Sequence, residues 1–321
     1  MKKRISILLA AILLLGCLTA CGNGDAPAAD SGSIQIVTTI FPEYDWVRQI
    51  AGDKADITML LDNGVDLHSY QPTAADILKI STCDLFIYVG GESDAWVADA
   101  LKQATNQNRI VLNLLDILGD SVKEEELVEG MQGEEEEEEE EEPEYDEHVW
   151  LSLRNAATLV GSISDALQKI DGANAAVYKS NAEAYTGKLD ALDAEYQAAV
   201  DAASVRTLLF GDRFPFRYLA DDYGLDYYAA FAGCSAESEA SFETVRFLAR
   251  KVDELQLSAV MTIEGADHRI AETIIQSTRT KDQKILSLDS MQSTTAKDVQ
   301  NGASYLDAME KNLSVLTEAL H

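Results

Sequence analysis

Four histidines are spread along the chain, His68, His148, His268 and His321. His68 and His148 fall in loops that follow expected strands or precede expected helices, and each stands beside acids: Asp62 and Asp66 near the first, Asp146 and Glu147 near the second. A loop histidine is by default a solvated side chain. Imidazole beside carboxylate is also the donor chemistry of a divalent transition metal. His268 falls on an expected helix and reads as a surface residue, and His321 is the terminal residue. There is no H-E-x-x-H, no G-x-S-x-G and no phosphate-cradling glycine loop, so the chain reads as a binder and not as an enzyme.

The elements that must position these residues alternate. Strands are expected at Ile34 to Phe41, closed by Pro42, then at Ala55 to Leu60, Leu85 to Val89 and Arg109 to Leu114. Helices are expected from Tyr44 to Ala51, Ala74 to Ser81, Ser93 to Leu101 and Ser152 to Ile170. Thr73 and Asp76 form a capping box at the second of these. Tyr178, Ala182, Tyr185, Leu189, Leu192, Tyr196 and Val200 recur at intervals of three and four, one apolar stripe on a long helix. After it the alternation restarts, with strands at Thr207 to Phe210, Leu225 to Phe231, Ala259 to Glu264 and Lys284 to Leu288. Helices are expected there at Phe216 to Tyr223, Glu243 to Leu255, Asp267 to Thr278 and Ser304 to Leu320. The fold class is therefore α/β: two lobes, each a mostly parallel sheet covered by helices, joined by one long helix. The expected divisions are an N-terminal lobe at 34–170, the connecting helix at 171–202 and a C-terminal lobe at 203–321. In such sheets ligands bind beyond the carboxyl ends of the strands, which is where the two loop histidines fall.

The net charge is −31. Residues 124–147 hold sixteen acids and no Lys or Arg, among them the nine consecutive residues Glu134 to Glu142; setting those sixteen aside leaves −15. Such a run repels itself and reads as a solvated loop. The acidic remainder excludes nucleic acid and peripheral binding to anionic lipid as partners and favours cations. The N-terminus carries Lys2, Lys3 and Arg4 before an apolar run from Ile5 to Gly16, a signal-peptide pattern. Leu18-Thr19-Ala20-Cys21 resembles a bacterial lipobox, with Leu14-Leu15-Gly16-Cys17 a weaker candidate. Residues 1–21 thus read as a lipoprotein signal, Cys21 as the lipidated residue and 22–33 as a flexible tether. The expected location is extracytoplasmic, anchored to the cell membrane by lipid. Only Cys83 and Cys234 remain, and a bridge between them is open at this point.

The stretch Asp66-Leu67-His68-Ser69-Tyr70-Gln71-Pro72-Thr73, followed by Asp76, closely resembles a ligand loop of the lipoproteins that feed zinc and manganese ABC importers. That family reads Asp-Pro-His, an aromatic, Glu-Pro-Thr and an Asp; here Leu67 and Gln71 depart from it. Asp146-Glu147-His148-Val149-Trp150-Leu151 is similar to the second ligand loop, Asp-Pro-His-x-Trp-Leu. The resemblance implies His68 and His148 as ligands. It places a third ligand, a His or Glu in relatives, at Arg213, which cannot coordinate because guanidinium stays protonated. Glu264 at a strand end, or Asp212 beside the arginine, could replace it, and Glu264 could instead pair with Arg213. Leu286-Ser287-Leu288-Asp289 resembles the strand end that carries the last ligand, implying Asp289. Two imidazoles with one or two carboxylates suit zinc first and manganese next. The resemblance further implies a monomer that captures the metal between its lobes as cargo, uses no organic cofactor and delivers to an ABC importer permease. The alternative is a surface adhesin-like lipoprotein whose metal site is structural.

Overall fold

The computed structural model describes residues 33–133, 144–235, 239–265 and 267–321. The signal segment with Cys17 and Cys21, nearly all of the tether, and the Glu134–Glu142 run lie outside the described residues. Among the described residues, two four-stranded sheets organise the chain, and all strand pairs in both are parallel. The first contains β1 (Ile34–Thr38), β2 (Ala55–Met59), β3 (Leu85–Tyr88) and β4 (Ile110–Asn113) in the order β2-β1-β3-β4. The second contains β5 (Thr207–Phe214), β6 (Asp226–Ala232), β7 (Ala259–Ile263) and β8 (Lys284–Leu288) in the order β6-β5-β7-β8.

Helices α1 (Phe41–Ala51), α2 (Ala74–Thr82), α3 (Val97–Lys102), α4 (Leu114–Leu118) and α5 (Leu153–Ile170) belong to the first half of the chain. The long helix α6 (Ala175–Ala202) follows, then α7 (Arg217–Tyr223), α8 (Phe242–Leu255), α9 (Arg269–Ser277), α10 (Ala296–Gln300) and α11 (Tyr305–Leu320). The buried residues of α6 are the seven of the apolar stripe. They pack against α5, against α1 from the first half and against α11 from the end of the chain. Burying a large apolar side chain contributes roughly 1.5–3 kcal/mol, so this stripe ties both halves to one helix. The fully buried Trp46, Trp150, Tyr178, Tyr196 and Tyr305 sit in the same continuous core. A smaller cluster lies around β5, β7, α8 and α9, with Leu209, Leu248, Val252, Val260 and Ile274 at its centre.

Local departures from the sequence reading have physical reasons. Pro42 does not close a strand; it lies in the first turn of α1, where its missing N–H has no intrahelical partner to lose. Strand β5 runs on to Phe214, four residues beyond the expected end, through a register shift between Phe210 and Arg213. Gly211 lies in that irregular stretch because the backbone of α9 is against it: a Cβ there would stand 2.6 Å from Ala271 Cα. The shift turns Asp212 and Arg213 towards the cleft described below. The short α4 and α10 had no periodic signal long enough to read. Cys83 and Cys234 are both free, so no bridge joins them.

Candidate metal centre

The His68 and His148 loops use the same local device. Asp66 accepts the backbone N–H of His68 (3.0 Å), and Asp146 accepts that of His148 (2.9 Å), so each Asp-x-His triplet closes a tight turn. The first loop is then tied to α2. Thr73 and Asp76 cap that helix reciprocally, and the Tyr70 hydroxyl donates to the same Asp76 oxygen (3.1 Å). The second loop is anchored by aromatic donors. Tyr218 donates to the Asp146 carbonyl (2.8 Å), Tyr305 donates to the Trp150 carbonyl (2.6 Å), and Trp150 Nε1 donates to the Ser290 carbonyl (2.9 Å).

These anchors bring the two rings together. His68 Nε2 and His148 Nε2 are 3.3 Å apart. The other ring nitrogens are engaged elsewhere: His148 Nδ1–H donates to Asp146 (3.0 Å), and His68 Nδ1 lies 2.8 Å from Ser93 Oγ. An imidazole whose Nδ1 is held in this way directs the Nε2 lone pair at the shared space, the usual outer support of a metal-bound histidine. His148 is completely buried. Burial disfavours its charged form, but the Asp146 carboxylate, by charge and hydrogen bond, and then Glu147 outweigh that and raise its pKa. For His68 burial wins, with the neighbouring His148 adding to it, and its pKa falls to about 4.

Glycines admit two of the close contacts. Gly91 has φ +77°, and a Cβ there would fall 2.3 Å from Glu147 Oε1, the oxygen that accepts the Ser93 N–H. Gly233 packs on the His148 ring; a Cβ there would be 3.1 Å from Nδ1. The residue after it is Cys234. Among the described residues, one group of three or more His, Cys, Asp or Glu has all its donor atoms within 4.8 Å of one another: His68, His148 and Cys234. Sequence reasoning passed over Cys234. The available signal was its position just beyond the carboxyl end of an expected parallel strand, where ligands bind.

The structure does not bring Glu264, Asp289 or Asp212 into that group. Glu264 lines a cleft of about 500 Å³ together with Asp66, His68, Asp212 and Arg213. Its carboxylate accepts the backbone N–H (2.6 Å) and the hydroxyl (2.8 Å) of Ser290. Burial first, then the Asp289 charge, push its pKa up. Asp212 accepts the backbone N–H groups of Arg213 (2.9 Å) and Ile263 (3.2 Å). Asp289 accepts the Met291 N–H (2.8 Å). Arg213 pairs with Asp66 (2.8 Å) and not with Glu264, joining the first histidine loop to β5. His268, expected at the surface, lines the cleft.

Two parallel α/β halves held by one long helix, with imidazoles converging beyond the strand ends, are the features of a two-lobed solute-binding protein. The family described as zinc-uptake complex component A, periplasmic (ZnuA) matches residues 36–319, and the chain belongs to it. That is a family of solute-binding proteins for zinc uptake and not of enzymes. The chain is 33% identical to the zinc-binding lipoprotein AdcA of Streptococcus pneumoniae serotype 4 over 98% of its own length and 61% of that protein's. It therefore spans less than two thirds of AdcA. It is 30% identical to the high-affinity zinc uptake system protein ZnuA of Bacillus subtilis, with 97% of this chain and 96% of that protein covered. Among solved structures, the Zn(II)-bound ZnuA-like domain of S. pneumoniae AdcA superposes with a TM-score of 0.70 at 29% identity, covering 90% of this chain and 99% of that one. No helix among the described residues is long and apolar enough to cross a membrane.

Proposed function

We propose that this chain captures zinc as cargo, with His68 and His148 as ligands, and delivers it to the permease of an ABC importer. One observation carries the reading. Two nitrogens bound to one tetrahedral zinc at about 2.05 Å each must lie about 3.3 Å from one another. The two Nε2 atoms are 3.3 Å apart. Their Nδ1 partners, Asp146 and Ser93, hold the rings so that both lone pairs meet. Of the acids that could complete the site, Glu264 and Asp212 line the same cleft as His68, where their carboxylates favour a cation. Manganese is the weaker cargo candidate, because imidazole donors favour zinc. The lipobox-like Leu18-Thr19-Ala20-Cys21 supports a chain held at the extracytoplasmic face of the cell membrane by lipid on Cys21. Loss of the chain from the membrane fraction in Cys21→Ser checks the anchor.

The test of the site is zinc titration against a competing chelator. His68→Ala and His148→Ala are each expected to lose on the order of 1,000-fold in affinity, about 4 kcal/mol. His68 lies in a single 3-10 turn (Leu67–Ser69) and His148 caps another (Val149–Leu151), both outside the α-helices and strands, so far-UV circular dichroism should be nearly unchanged. Wild-type affinity in either variant would remove that histidine from the site.

A further inference from the structure

The third member of the converging group is a sulfur. We propose that Cys234 is a metal ligand of this site, a thiolate that with His68 and His148 makes a two-nitrogen, one-sulfur centre and sets its preference for zinc over manganese. The inference rests on the two-histidine reading and extends it to the donor set. Its basis is placement. Cys234 follows β6 and Gly233, where a Cβ would stand 3.1 Å from His148 Nδ1, so the backbone that carries the sulfur runs close to that ring. The Cys234 backbone N–H donates to Glu125 (2.9 Å), and the Ser235 carbonyl accepts from Arg213, which fixes the turn on both sides of the sulfur. Sγ and the two imidazole nitrogens all lie within 4.8 Å of one another.

A tetrahedral zinc with nitrogens at about 2.05 Å and sulfur at about 2.3 Å sets nitrogen and sulfur about 3.6 Å apart, so an adjustment of at most about 1 Å completes the site. Side-chain rotation at Cys234 supplies a movement of that size. Among the described residues, the donor atoms of His68, His148 and Cys234 are the group that converges, and the other groups considered for a third ligand are engaged elsewhere. Cys83 donates to the Ile80 carbonyl within the core of the first half, Arg213 cannot coordinate and is paired with Asp66, and Glu264 is hydrogen-bonded to Ser290. On binding, the thiol proton leaves to solvent as the metal–sulfur bond forms, and no oxidation state changes. Thiolate and imidazole together suit zinc, whereas manganese favours carboxylate, carbonyl and water.

The experiment uses the full chain, kept reduced and titrated with Co(II) as a spectroscopic stand-in for zinc. A thiolate-to-cobalt charge-transfer band in the near ultraviolet, saturating at one equivalent and bleached by zinc, is expected for the wild type. Because that band is read on the wild type, it does not depend on any variant folding. In Cys234→Ser the band should vanish while visible cobalt transitions persist. Zinc affinity should fall on the order of 100-fold, with manganese affinity changed less than threefold. Cobalt bound through the histidines with no charge-transfer band, or unchanged zinc affinity in Cys234→Ser, overturns the proposal and leaves the two-histidine site standing. Absence of any zinc or cobalt binding by the wild type overturns both.

Discussion

The loops that carry His68 and His148 and the strand ends that carry Asp212, Glu264 and Asp289 face the same region with opposite use of their polar atoms. In the histidine loops Asp66 and Asp146 accept backbone N–H groups, Asp146 also holds His148 Nδ1 and Ser93 stands at His68 Nδ1, so each imidazole keeps Nε2 for the shared space. At the strand ends the acids themselves take the backbone. Asp212 accepts from Arg213 and Ile263, Glu264 from Ser290, and Asp289 from Met291. The difference lies in what each group holds in this structure: the imidazoles leave Nε2 for the shared space, while the strand-end carboxylates brace the backbone around it. An ionised carboxylate offers about four lone-pair sites, so one that accepts two hydrogen bonds keeps capacity for a metal, and its hydrogen bonds would then orient it.

The largest expected effect that sharpens this comparison is the pH dependence of zinc affinity, because the two imidazoles titrate apart. A ligand imidazole must be neutral, so protons compete with zinc and affinity falls as pH falls through each pKa. His148, raised above 6.5 by Asp146 and Glu147 against the pull of burial, sets a first break above that value. Below it protonation of His148 should add about a tenfold loss per pH unit. His68, lowered by burial and by His148 to about 4, stays neutral over that range and adds a second proton only near that pH. A plot of log affinity against pH should therefore show two breaks. A thiol proton released by Cys234 adds a uniform slope without moving them. A single two-proton break near 6.5 would mean that the imidazoles are equivalent and that their surroundings do not distinguish them.

Next in size is the outer support of His148. Asp146→Asn keeps an acceptor for the backbone N–H but replaces the charge that faces Nδ1–H. Zinc affinity should fall 10- to 100-fold, the usual effect of removing such a partner. The first pH break should also move down, since the group that raises the His148 pKa is gone. An unchanged break would show that Asp146 only shapes the turn.

How far this division could be read beforehand follows from where its signals lie. The two Asp-x-His loops were legible because ligand, turn acid and helix cap are close in sequence, as in Asp66, His68, Thr73 and Asp76. The long helix was legible because all seven apolar positions of its stripe repeat at helical spacing, and all seven are buried. What remained hidden depends on contacts between distant segments. Cys234 reaches His148 through the fold of the second sheet, and a single cysteine has no periodicity to betray it. Arg213 finds Asp66 across the cleft, where Glu264 was the partner considered. Which acids keep free lone pairs is equally invisible, because Ser290 follows Asp289 in sequence yet bonds to Glu264.

The smallest expected effect falls on Glu264, where the contrast between donor and scaffold is most exposed to test. In Glu264→Gln the side-chain carbonyl keeps the acceptor for the Ser290 N–H, the shorter of its contacts at 2.6 Å. The amide end can no longer accept the Ser290 hydroxyl, but that hydroxyl can turn and accept from the amide instead. Burial and the Asp289 charge both push the Glu264 pKa up, so removing its charge also removes a cost of burying it. These changes oppose one another, and thermal unfolding should show a stability change of no more than about 1 kcal/mol. If Glu264 is scaffold, zinc affinity should fall less than tenfold, the loss coming only from weaker negative charge along the cleft, and raised salt should shrink it further. If Glu264 is a ligand, a neutral amide in its place should cost on the order of 100-fold, and salt should leave that loss intact. The salt dependence decides between the two even where the measured losses are similar in size, because screening reaches a charge on the cleft wall and does not reach a bond to the metal.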